Sequence, residues 1–581
     1  MKKIYLFFAM LFLATLSYGQ AMSGVYKVGA TETAPNFASL KSACDALNTN
    51  GMSGDVIFEI TSNLTETESS RIGVNTGTNS VTIRPSSDTD YRIELTKATD
   101  NARASGLIII GLTGDSWENL TANTSNVTID GYAVGGTTRR LTLATTDAAN
   151  IFHGPIQIVG SGENIAVKNC ILDQRNLVSG STTYAVRLRV EQNAAATVFA
   201  PSNIVIENNI ITAVKNGAQM GIGLTAASGI TTYTLKGVVI KNNEISARTR
   251  AISMSNYENI QIEGNTIKTE QTNPGMLSTW VQGIANGVGT VDIKRNKFIS
   301  ALTANTSAGA YGIRGIIASG GGTWYIDNNY FTGFKVTGTT GSTEMTAIRC
   351  GNTCIIRNNT FYLNSLNSTG ITVTYQAILI AAGTPTILNN ILVSDEDAIP
   401  NTLLVGTIGG ETDYNNYFLR TGTTNARISG SNTTLAAHQA ANPGKDVNSK
   451  SVDVDFVDET TGNLNLMGSS DGDNNLAAPR LAEVTTDIMG TARKDPAYMG
   501  AFEAPTPIIV VAVDELSGNE ITVLRTASGI TVTFEGEGAI ELYNMNGQLI
   551  DKANAYNSYS RDLERGAYII RVNGKAVKFV R

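Results

Sequence analysis

The stretch Asn203–Ile211, NIVIENNII, decides the fold of this 581-residue chain. Its apolar and polar residues alternate, which is typical of a strand with one buried face. We therefore expect Ile204 and Ile206 to point inward and their neighbours to point outward. The pair Asn208-Asn209 interrupts the alternation before a second short strand begins. Because asparagine tolerates the left-handed backbone conformation, this pair predicts a sharp corner between two strands.

This pattern recurs along the chain, with roughly 30 residues between copies. The copies begin at Asn126, Asn164, Asn203, Val238, Asn259, Thr290, Trp324, Cys354, Pro385 and Thr412. No single copy can bury its apolar face, so the copies must stack on one another. Stacking at about 4.8 Å would align the corner asparagines, whose side chains could then bond as a ladder. The repeat predicts an all-β solenoid of about ten coils, roughly 50 Å long.

A second set of short strands precedes the asparagine copies. Its members are AVRLRV at Ala185, GIGL at Gly221, AISMS at Ala251, GIAN at Gly283, GIRGI at Gly312, AIRC at Ala347 and AILIA at Ala377. The three-strand coil with an asparagine corner resembles the pectate-lyase-like superfamily of right-handed parallel β-helices. The resemblance covers Val56 to Phe418 and implies the fold without choosing an activity, because this fold serves many functions.

The N-terminal residues are typical of an exported protein. Met1-Lys2-Lys3 is basic, Ile4 to Leu16 is apolar, and small residues precede Gln20, so residues 1–19 are predicted to be a signal peptide. Residues 20–55 are expected to cap the solenoid with a short helix over Phe37 to Asn48, because apolar residues recur there at helical spacing. The parallel β-helix itself is predicted over residues 56–420.

Residues 421–503 are expected to close the far end of the solenoid, and residues 504–514 to form a linker. The part from Asp487 to Glu503 resembles the closing segment of secreted bacterial β-helix proteins of the choice-of-anchor Q type. The positions that match are Asp487, Gly490, Arg493, Gly500 and Glu503, whereas Met499 replaces the usual Ile or Val.

Residues 515–581 contain short alternating strands, and Asn546-Gly547 between two of them predicts a hairpin. The part from Ile540 to Arg581 resembles the C-terminal sorting domain of the type IX secretion system of Bacteroidetes. The matching positions are Tyr543, Asn544, Gly547, Ile550, Leu563, Gly566, Tyr568, Val572, Gly574, Lys575 and Lys578. The resemblance implies a small Ig-like β-sandwich, export through the periplasm by the type IX machinery, and release or attachment to surface lipopolysaccharide. A generic β-sandwich, such as a carbohydrate-binding module, is the alternative.

Composition and cysteine usage limit the partners and cofactors. A net charge of -7 argues against nucleic-acid binding, and we expect a monomer without a cofactor. Cys44, Cys170, Cys350 and Cys354 are expected to be buried thiols, with a local Cys350–Cys354 disulfide as the alternative. Calcium could bind at Asp471, Asp473 and Asn474, but this cluster lacks an EF-hand continuation, which favours a polar turn.

The candidate site lies on an outward column of the second strand set. We align Arg187, Gly223, Ser253, Ala285, Arg314, Arg349 and Leu379 in that column. It holds no pair of carboxylates for hydrolysis and no acidic cluster for calcium. Arg314 and Arg349 are predicted to lie on adjacent coils about 5 Å apart, where two guanidinium groups could clamp the carboxylate or sulfate of an acidic sugar.

Arg187, Arg189 and Tyr311 extend this predicted binding face, with Tyr184 nearby. A lyase would also need a base, for which Tyr311 and Lys297 are the candidates. The outward arginines could instead simply keep a strand-rich face soluble. His153 is isolated from other candidate groups, which favours a structural role.

Two functions follow from these residues. The first is a secreted or cell-surface rod that binds extracellular polysaccharide, or an adhesin, without catalysis. The second is a lyase or glycoside hydrolase that acts on an acidic polysaccharide.

Overall fold

The computed structural model describes residues 20–96, 106–146, 154–174, 182–214, 218–271, 277–304, 312–337, 342–363, 372–395, 401–420, 426–508, 521–525, 529–544, 546–564 and 566–580. The chain divides into two compact units. The first comprises Met1–Asp471 and Ala478–Ala504, and the second comprises Gly472–Ala477 and Pro505–Arg581.

The first unit is a right-handed parallel β-helix, in which successive turns of the chain add strands to three parallel sheets. The strands of sheet 1 are Met22–Val28, Met52–Ile60, Val81–Pro85, Val127–Asp130, Glu163–Lys168, Ser202–Glu207, Leu235–Lys236 with Val239–Lys241, Tyr257–Glu263, Gly287–Lys294, Gly321–Asp327, Thr353–Arg357, Thr386–Leu388 and Thr412–Asp413.

The strands of sheet 2 are Leu64–Glu66, Tyr91–Leu95, Leu141–Thr145, Ile171–Gln174, Ile210–Ala213, Glu244–Ala247, Thr266–Gln271, Lys297–Ala304, Tyr330–Phe331 with Phe334–Thr337, Thr360–Leu363, Ile391–Ser394 and Asn416–Leu419. Those of sheet 3 are Ser70–Ile72, Ile108–Ile110, Ile156–Ile158, Thr182–Gln192, Ala218–Ala226, Arg250–Ser255, Thr279–Ala285, Ile313–Ala318, Ser342–Cys350, Thr372–Ile380, Asn401–Val405 and Ala426–Ser429. Val198–Phe199 joins sheet 3 as a short antiparallel strand.

The predicted fold class is confirmed, and the helix extends further than the asparagine pattern indicates. Within the described residues, twelve turns each contribute to all three sheets, which corresponds to roughly 58 Å at the usual spacing. The first two turns, which begin with Met52–Ile60 and Val81–Pro85, lack an asparagine corner, so the repeat did not reveal them. Sheet 1 starts at Met22 and sheet 3 ends at Ser429, both outside the predicted bounds 56–420.

The interior is filled by the inward residues of the three sheets. Ile204 and Ile206 are fully buried as predicted, and Phe298, Phe331 and Phe361 stack on successive strands of sheet 2 with ring centroids 5.0 and 4.5 Å apart. These contacts remove apolar surface from water, which is the main force that stabilises a stack of coils.

The corner between sheets 1 and 2 carries the predicted asparagine ladder. Its members are Asn209, Asn243, Asn265, Asn296, Asn329, Asn359, Asn390 and Asn415, all at most 1% exposed. In each step down to Asn390, the side-chain amide and the backbone N–H both donate to Oδ1 of the next asparagine. The residue before each ladder member has a positive φ, for example 53° at Asn208 and 55° at Asn242. The ladder thus satisfies the polar backbone of a buried corner.

The last outward position of sheet 1, just before this corner, alternates in charge from turn to turn. The column reads Lys27, Glu59, Arg84, Asp130, Lys168, Glu207, Lys241, Glu263, Lys294, Asp327 and Arg357. Neighbours form ion pairs, such as Arg84 with Glu59 at 2.8 Å and Lys241 with Glu207 at 3.0 Å. A one-residue slip of any strand would break this alternation, so the column helps to specify register.

Helices cover the two ends of the β-helix. The predicted N-terminal helix spans Leu40–Asn50 and begins with a capping box formed by Ser39 and Ser42. At the far end, the helix Leu435–Ala441 places His438 against Asp446. Asp446 accepts hydrogen bonds from Asn415 Nδ2 and Ser449 Oγ, and so terminates the asparagine ladder.

Residues 421–503 were expected to close the far end, but their last part does not do so. The segment 478–504, which we call the strap, lies along the asparagine corner of earlier turns. Its backbone accepts from Asn328 Nδ2 at Thr486 and donates from Gly500 to the Asn389 carbonyl. The buried Arg493 pairs with Glu503 at 3.3 Å and donates to Asn328 Oδ1 at 2.6 Å. The strap follows this path because the corner asparagines at positive φ turn their amides outward and offer donors and acceptors to a crossing chain.

The chain contains further short elements outside the three sheets. They are the strands Phe456–Asp458, Asn463–Leu466, Ala477–Ala478 and Ala497–Tyr498 and the 3-10 helices Trp117–Asn119, Gly468–Ser470 and Asn474–Leu476. Asn474–Leu476 and Ala477 belong to the second unit. Asp473 caps Asn474–Leu476 by accepting from the Asn475 backbone N–H, in line with the predicted polar turn.

The second unit contains five antiparallel strands, Thr522–Arg525, Gly529–Asn544, Leu549–Asp562, Ala567–Val572 and Lys575–Val580. The long strand Gly529–Asn544 has an irregularity between Thr533 and Glu537, and residues from both of its halves pack into one core around Val532, Leu542 and Ile570. Gly547, at a φ of 77°, lies in the predicted hairpin between the second and third strands.

All four cysteines are free and buried, in agreement with the thiol interpretation. A hydrogen bond with Cys354, together with burial, raises the pKa of Cys350 well above its ordinary value. Among the helices of the described residues, none is long and apolar enough to cross a membrane.

Candidate functional site

The register of sheet 3 decides which predicted site residues meet. One outward column contains Gln157, Arg187, Gly223, Ser253, Gln282, Ile317, Arg349 and Leu379. Arg349 is therefore opposite Ile317, whereas Arg314 is opposite Thr346. The two arginines are offset by three residues, or about 10 Å along the strands, so the predicted adjacent pair is wrong.

The error has a physical origin in the sequence. The segment GIRGI contains Gly312-Ile313 and Gly315-Ile316, and either pair could align with Ala347-Ile348. The structure uses the second pair, because Ile316 is the buried residue opposite Ile348. The same shift puts Gln282, not Ala285, in the outward column.

The other predicted residues of this half of the site are scattered or undescribed. Tyr311 lies outside the described residues, as does His153. Lys297 begins a strand of sheet 2 and so belongs to a different face from Arg349. Lys297 is therefore not placed to act as a base beside Arg314 or Arg349.

Arg187 and Arg189 do come together with further cationic and aromatic groups. We call Tyr184, Arg187, Arg189 and Arg250 the arginine cluster. The Arg187 guanidinium lies 5.8 Å from the centroid of the Tyr184 ring, and its Nε donates to Thr225 Oγ1 at 3.4 Å. The Tyr184 ring lies against the next turn at Gly223, where a Cβ atom would be 2.2 Å from the ring. Glycine at this column position therefore makes room for the tyrosine.

Arg189 has an acid partner and an aromatic neighbour. Its Nε donates to Glu191 Oε2 at 2.6 Å, and both side chains are buried. Its guanidinium also lies 5.8 Å from the centroid of the Trp117 ring. Trp117 itself packs against Leu112, Phe199 and other residues of a small apolar cluster on the outside of sheet 3. The charge of Arg189 is thus compensated by Glu191.

Arg250 is the cation of the cluster that lacks such compensation. It begins a strand of sheet 3 two turns beyond Tyr184, and its side chain is partly buried. Its Nε is buried without a hydrogen-bond partner, and no acid among the described residues forms a salt bridge with it. Burial lowers the pKa of Arg250, although an arginine remains charged at physiological pH. A buried donor of this kind is costly to leave unpaired.

The electrostatics of Tyr184 reflect the same surroundings. Burial raises the pKa of its hydroxyl, while the charges of Arg187, Arg250 and Arg189 act in the opposite direction. The phenol therefore stays neutral near pH 7, which leaves it as a ring surface and a hydrogen-bonding group rather than a base.

An uncharged acceptor completes the face. Gln282 Oε1 is buried without a hydrogen-bond partner, one turn beyond Ser253 in the Arg187 column. The face thus offers an uncompensated cation, two aromatic rings and a partly buried amide side chain. Such groups can bind a carboxylate or sulfate, the apolar face of a sugar ring and a hydroxyl. In the part of the chain that the structure describes, no group of three or more His, Cys, Asp or Glu side chains could hold a metal ion.

A second arrangement has the residue types of a hydrolase triad. Ser429 Oγ lies 2.6 Å from His438 Nδ1, and His438 Nε2 lies 2.8 Å from Asp446 Oδ2. His438 and Asp446 are fully buried, and Asp446 is occupied by the end of the asparagine ladder. Because a substrate cannot reach these groups, this network stabilises the end of the β-helix.

Sequence reasoning missed Arg250 and Trp117. Arg250 precedes AISMS, at the start of a quoted strand, but nothing in the repeat distinguishes it from a solvated arginine. Trp117 lies in a segment without repeat pattern, and only the folding of that segment over sheet 3 brings it to Arg189.

Comparisons with known proteins give similarities to solved structures alone. No family model matches the sequence, and no curated protein matches it. Among solved structures, the chain is similar to pectate lyase Pel9A, with 12% identity over 84% of this chain and 99% of that one and a TM-score of 0.31. It is also similar to PfbA, a surface adhesin of Streptococcus pneumoniae, with 14% identity over 65% and 87% and a TM-score of 0.27.

A third similar structure is a tailspike protein mutant of E. coli bacteriophage HK620 in complex with a hexasaccharide, with 11% identity over 93% and 88% and a TM-score of 0.30. At these identities and TM-scores the three likenesses carry no argument about activity. The parallel β-helix fold is evident from the three parallel sheets of this chain.

Proposed function

We propose that this chain is a non-catalytic rod that binds an acidic extracellular polysaccharide on the outer face of sheet 3. The observation that carries the proposal is Arg250, a partly buried cation with which no acid of the described residues forms a salt bridge. An anionic group of a polysaccharide would bind the accessible part of this guanidinium and offset the unfavourable burial of the charge. Tyr184 and Trp117 would support sugar rings on either side of Arg187 and Arg189.

The hydrogen bonds of Glu191, the acid beside the arginine cluster, favour binding without catalysis. Glu191 is held by Arg189 and by the Gln192 backbone N–H, so it is not poised as a base. A neutral Tyr184 with a raised pKa is likewise a poor base.

The test measures retention and turnover together. The purified chain is passed over immobilised polygalacturonate, a sulfated polysaccharide and neutral dextran, while absorbance at 235 nm and reducing ends report cleavage. We expect retention on the two acidic polymers without cleavage, and loss of retention in Arg250→Gln. Arg84→Gln, whose arginine pairs with Glu59 on sheet 1, is the matched control and should bind normally.

Either of two results would contradict the proposal. Unchanged retention in Arg250→Gln would remove the arginine cluster from the binding site. Cleavage of a polymer that Arg250→Gln abolishes would replace the binding rod by a lyase or hydrolase.

The proposal includes export to the cell surface or medium. It is supported by the signal-peptide pattern of residues 1–19 and by a C-terminal unit with its own core, which suits an independent sorting domain. Deletion of residues 515–581 should leave the β-helix in the periplasm, and normal surface delivery of that variant would refute the sorting role.

A further inference from the structure

We propose that a recess at the asparagine corner, beneath the strap, binds a sugar unit that carries a carboxylate or sulfate. The recess has a volume of about 570 Å³ and is lined by the corner residues of three successive turns together with Ile488 and Met489 of the strap. That volume is in the range of small-ligand sites. No residue of the arginine cluster lines it, so the two sites can be tested separately.

The first reason is an interruption of the repeat at this place. The first corner position is asparagine at positive φ in the turns of Asn169, Asn208, Asn242, Asn328, Asn358 and Asn389. Two adjacent turns between them carry Gly264 and Arg295 instead, and both line the recess.

Arg295 adopts a φ of 57°, a conformation that is unfavourable for a side chain without asparagine's local hydrogen bonds. Gly264 carries no side chain, and a Cβ there would clash with Asn242 Oδ1 at 2.4 Å. At this place the corner therefore presents a charged side chain at a strained position next to a residue without a side chain, a combination that is typical of functional sites.

The second reason is the balance of charge. Lys241, Arg295 and Lys297 line the recess together with one acid, Glu263. Arg295 pairs with Glu263, and Lys241 pairs with Glu207 at 3.0 Å. Among the residues that the structure describes, no acid forms a salt bridge with Lys297, which therefore offers an uncompensated ammonium group to an anion.

The third reason is the wall formed by the strap. Met489 is 58% exposed, although a large apolar side chain at a crossing segment is normally covered. Met489 lines the same recess as the cations. An apolar platform opposite cations suits a charged sugar, whose ring has an apolar face and whose substituent is anionic.

The test uses the full chain with methionine methyl groups labelled with carbon-13, so that Met489 reports binding at this recess alone. Met489→Leu assigns its signal. The probes are glucuronate, glucose 6-sulfate, glucose and inorganic sulfate. We expect the Met489 signal to shift with the first two probes and not with glucose.

Arg295→Asn and Lys297→Gln should each weaken binding at least about tenfold, the usual effect of losing a charge-assisted hydrogen bond. Arg295→Asn restores the repeat residue, so its thermal midpoint should not fall. Lys268→Gln, which changes an exposed lysine of sheet 2 outside the recess, should leave binding unchanged.

Three results would overturn the proposal. They are a shift with glucose equal to that with glucuronate, binding of inorganic sulfate as tight as that of glucose 6-sulfate, and unaltered binding in Arg295→Asn. None of these results bears on retention by the arginine cluster, so failure here leaves the proposed function to its own test.

Discussion

Removal of one asparagine from the ladder is expected to destabilise the β-helix strongly, and Asn243 gives the clearest test. Its amide donates to the Ile206 carbonyl at 2.8 Å and to Asn265 Oδ1 at 3.0 Å. Its Oδ1 accepts from the Asn209 backbone N–H at 2.9 Å and from Asn209 Nδ2 at 3.0 Å. Asn243→Ala removes all four hydrogen bonds from a site that is 1% exposed.

The magnitude follows from the groups that lose their partners. The Asn209 N–H and the Ile206 carbonyl would remain buried without these bonds, at about 1 to 3 kcal/mol each. We therefore expect the free energy of unfolding to fall by about 3 to 5 kcal/mol, measured by urea denaturation followed by circular dichroism. Hydrogen exchange should localise the loss, because the Asn209 amide should exchange much faster.

The neighbouring Asn242 provides a matched control. It is exposed, lies in the same corner and has a φ of 55°. Glycine adopts this φ without strain, so Asn242→Gly should cost less than about 1 kcal/mol. The reasoning is refuted if Asn243→Ala is no more destabilising than Asn242→Gly, or if the exchange rate of the Asn209 amide is unchanged.

Lys168→Glu would place a third carboxylate between those of Asp130 and Glu207. We expect the free energy of unfolding to fall by about 1 kcal/mol, and by less in 1 M salt, whereas a salt-independent loss would contradict the role of charge. Gly223→Ala should displace the Tyr184 ring and abolish retention on acidic polymers, whereas normal retention would show that the ring position is irrelevant. Burial raises the pKa of Glu66, whose carboxyl group accepts from the Leu40 backbone N–H at the start of the first helix. The contribution of Glu66 to stability is therefore present below its unfolded pKa of about 4.5 and is lost as the pH rises through the folded pKa. The urea midpoint of Glu66→Gln should lack this decline, and parallel profiles for both proteins would refute it. Burial also raises the pKa of Cys44 and Cys170, so a thiol reagent should label none of the four cysteines before unfolding, and rapid labelling of the native chain would contradict their burial.

The candidate site was only partly predictable. Arg187 and Arg189 could be placed on the outer face from strand alternation, because alternation acts over two residues and needs no partner. The prediction of the Arg314 and Arg349 pair failed because register between turns depends on which glycine packs against the neighbouring turns, and GIRGI offers two choices. The structure places Gly315 against the Trp280 ring, where a Cβ would lie 2.5 Å away. Arg250 could not be singled out, since an uncompensated charge is defined by groups from other turns.

The sequence by itself determined the parallel β-helix, its corner and its inward residues, because each is written in a local pattern that repeats and that stacking alone can satisfy. Only the tertiary structure decided the register of sheet 3, the path of the strap along the asparagine corner and the recess beneath Met489. These features arise from contacts between residues far apart in the chain. Such contacts are selected by the fit of side chains across turns, which no local pattern records.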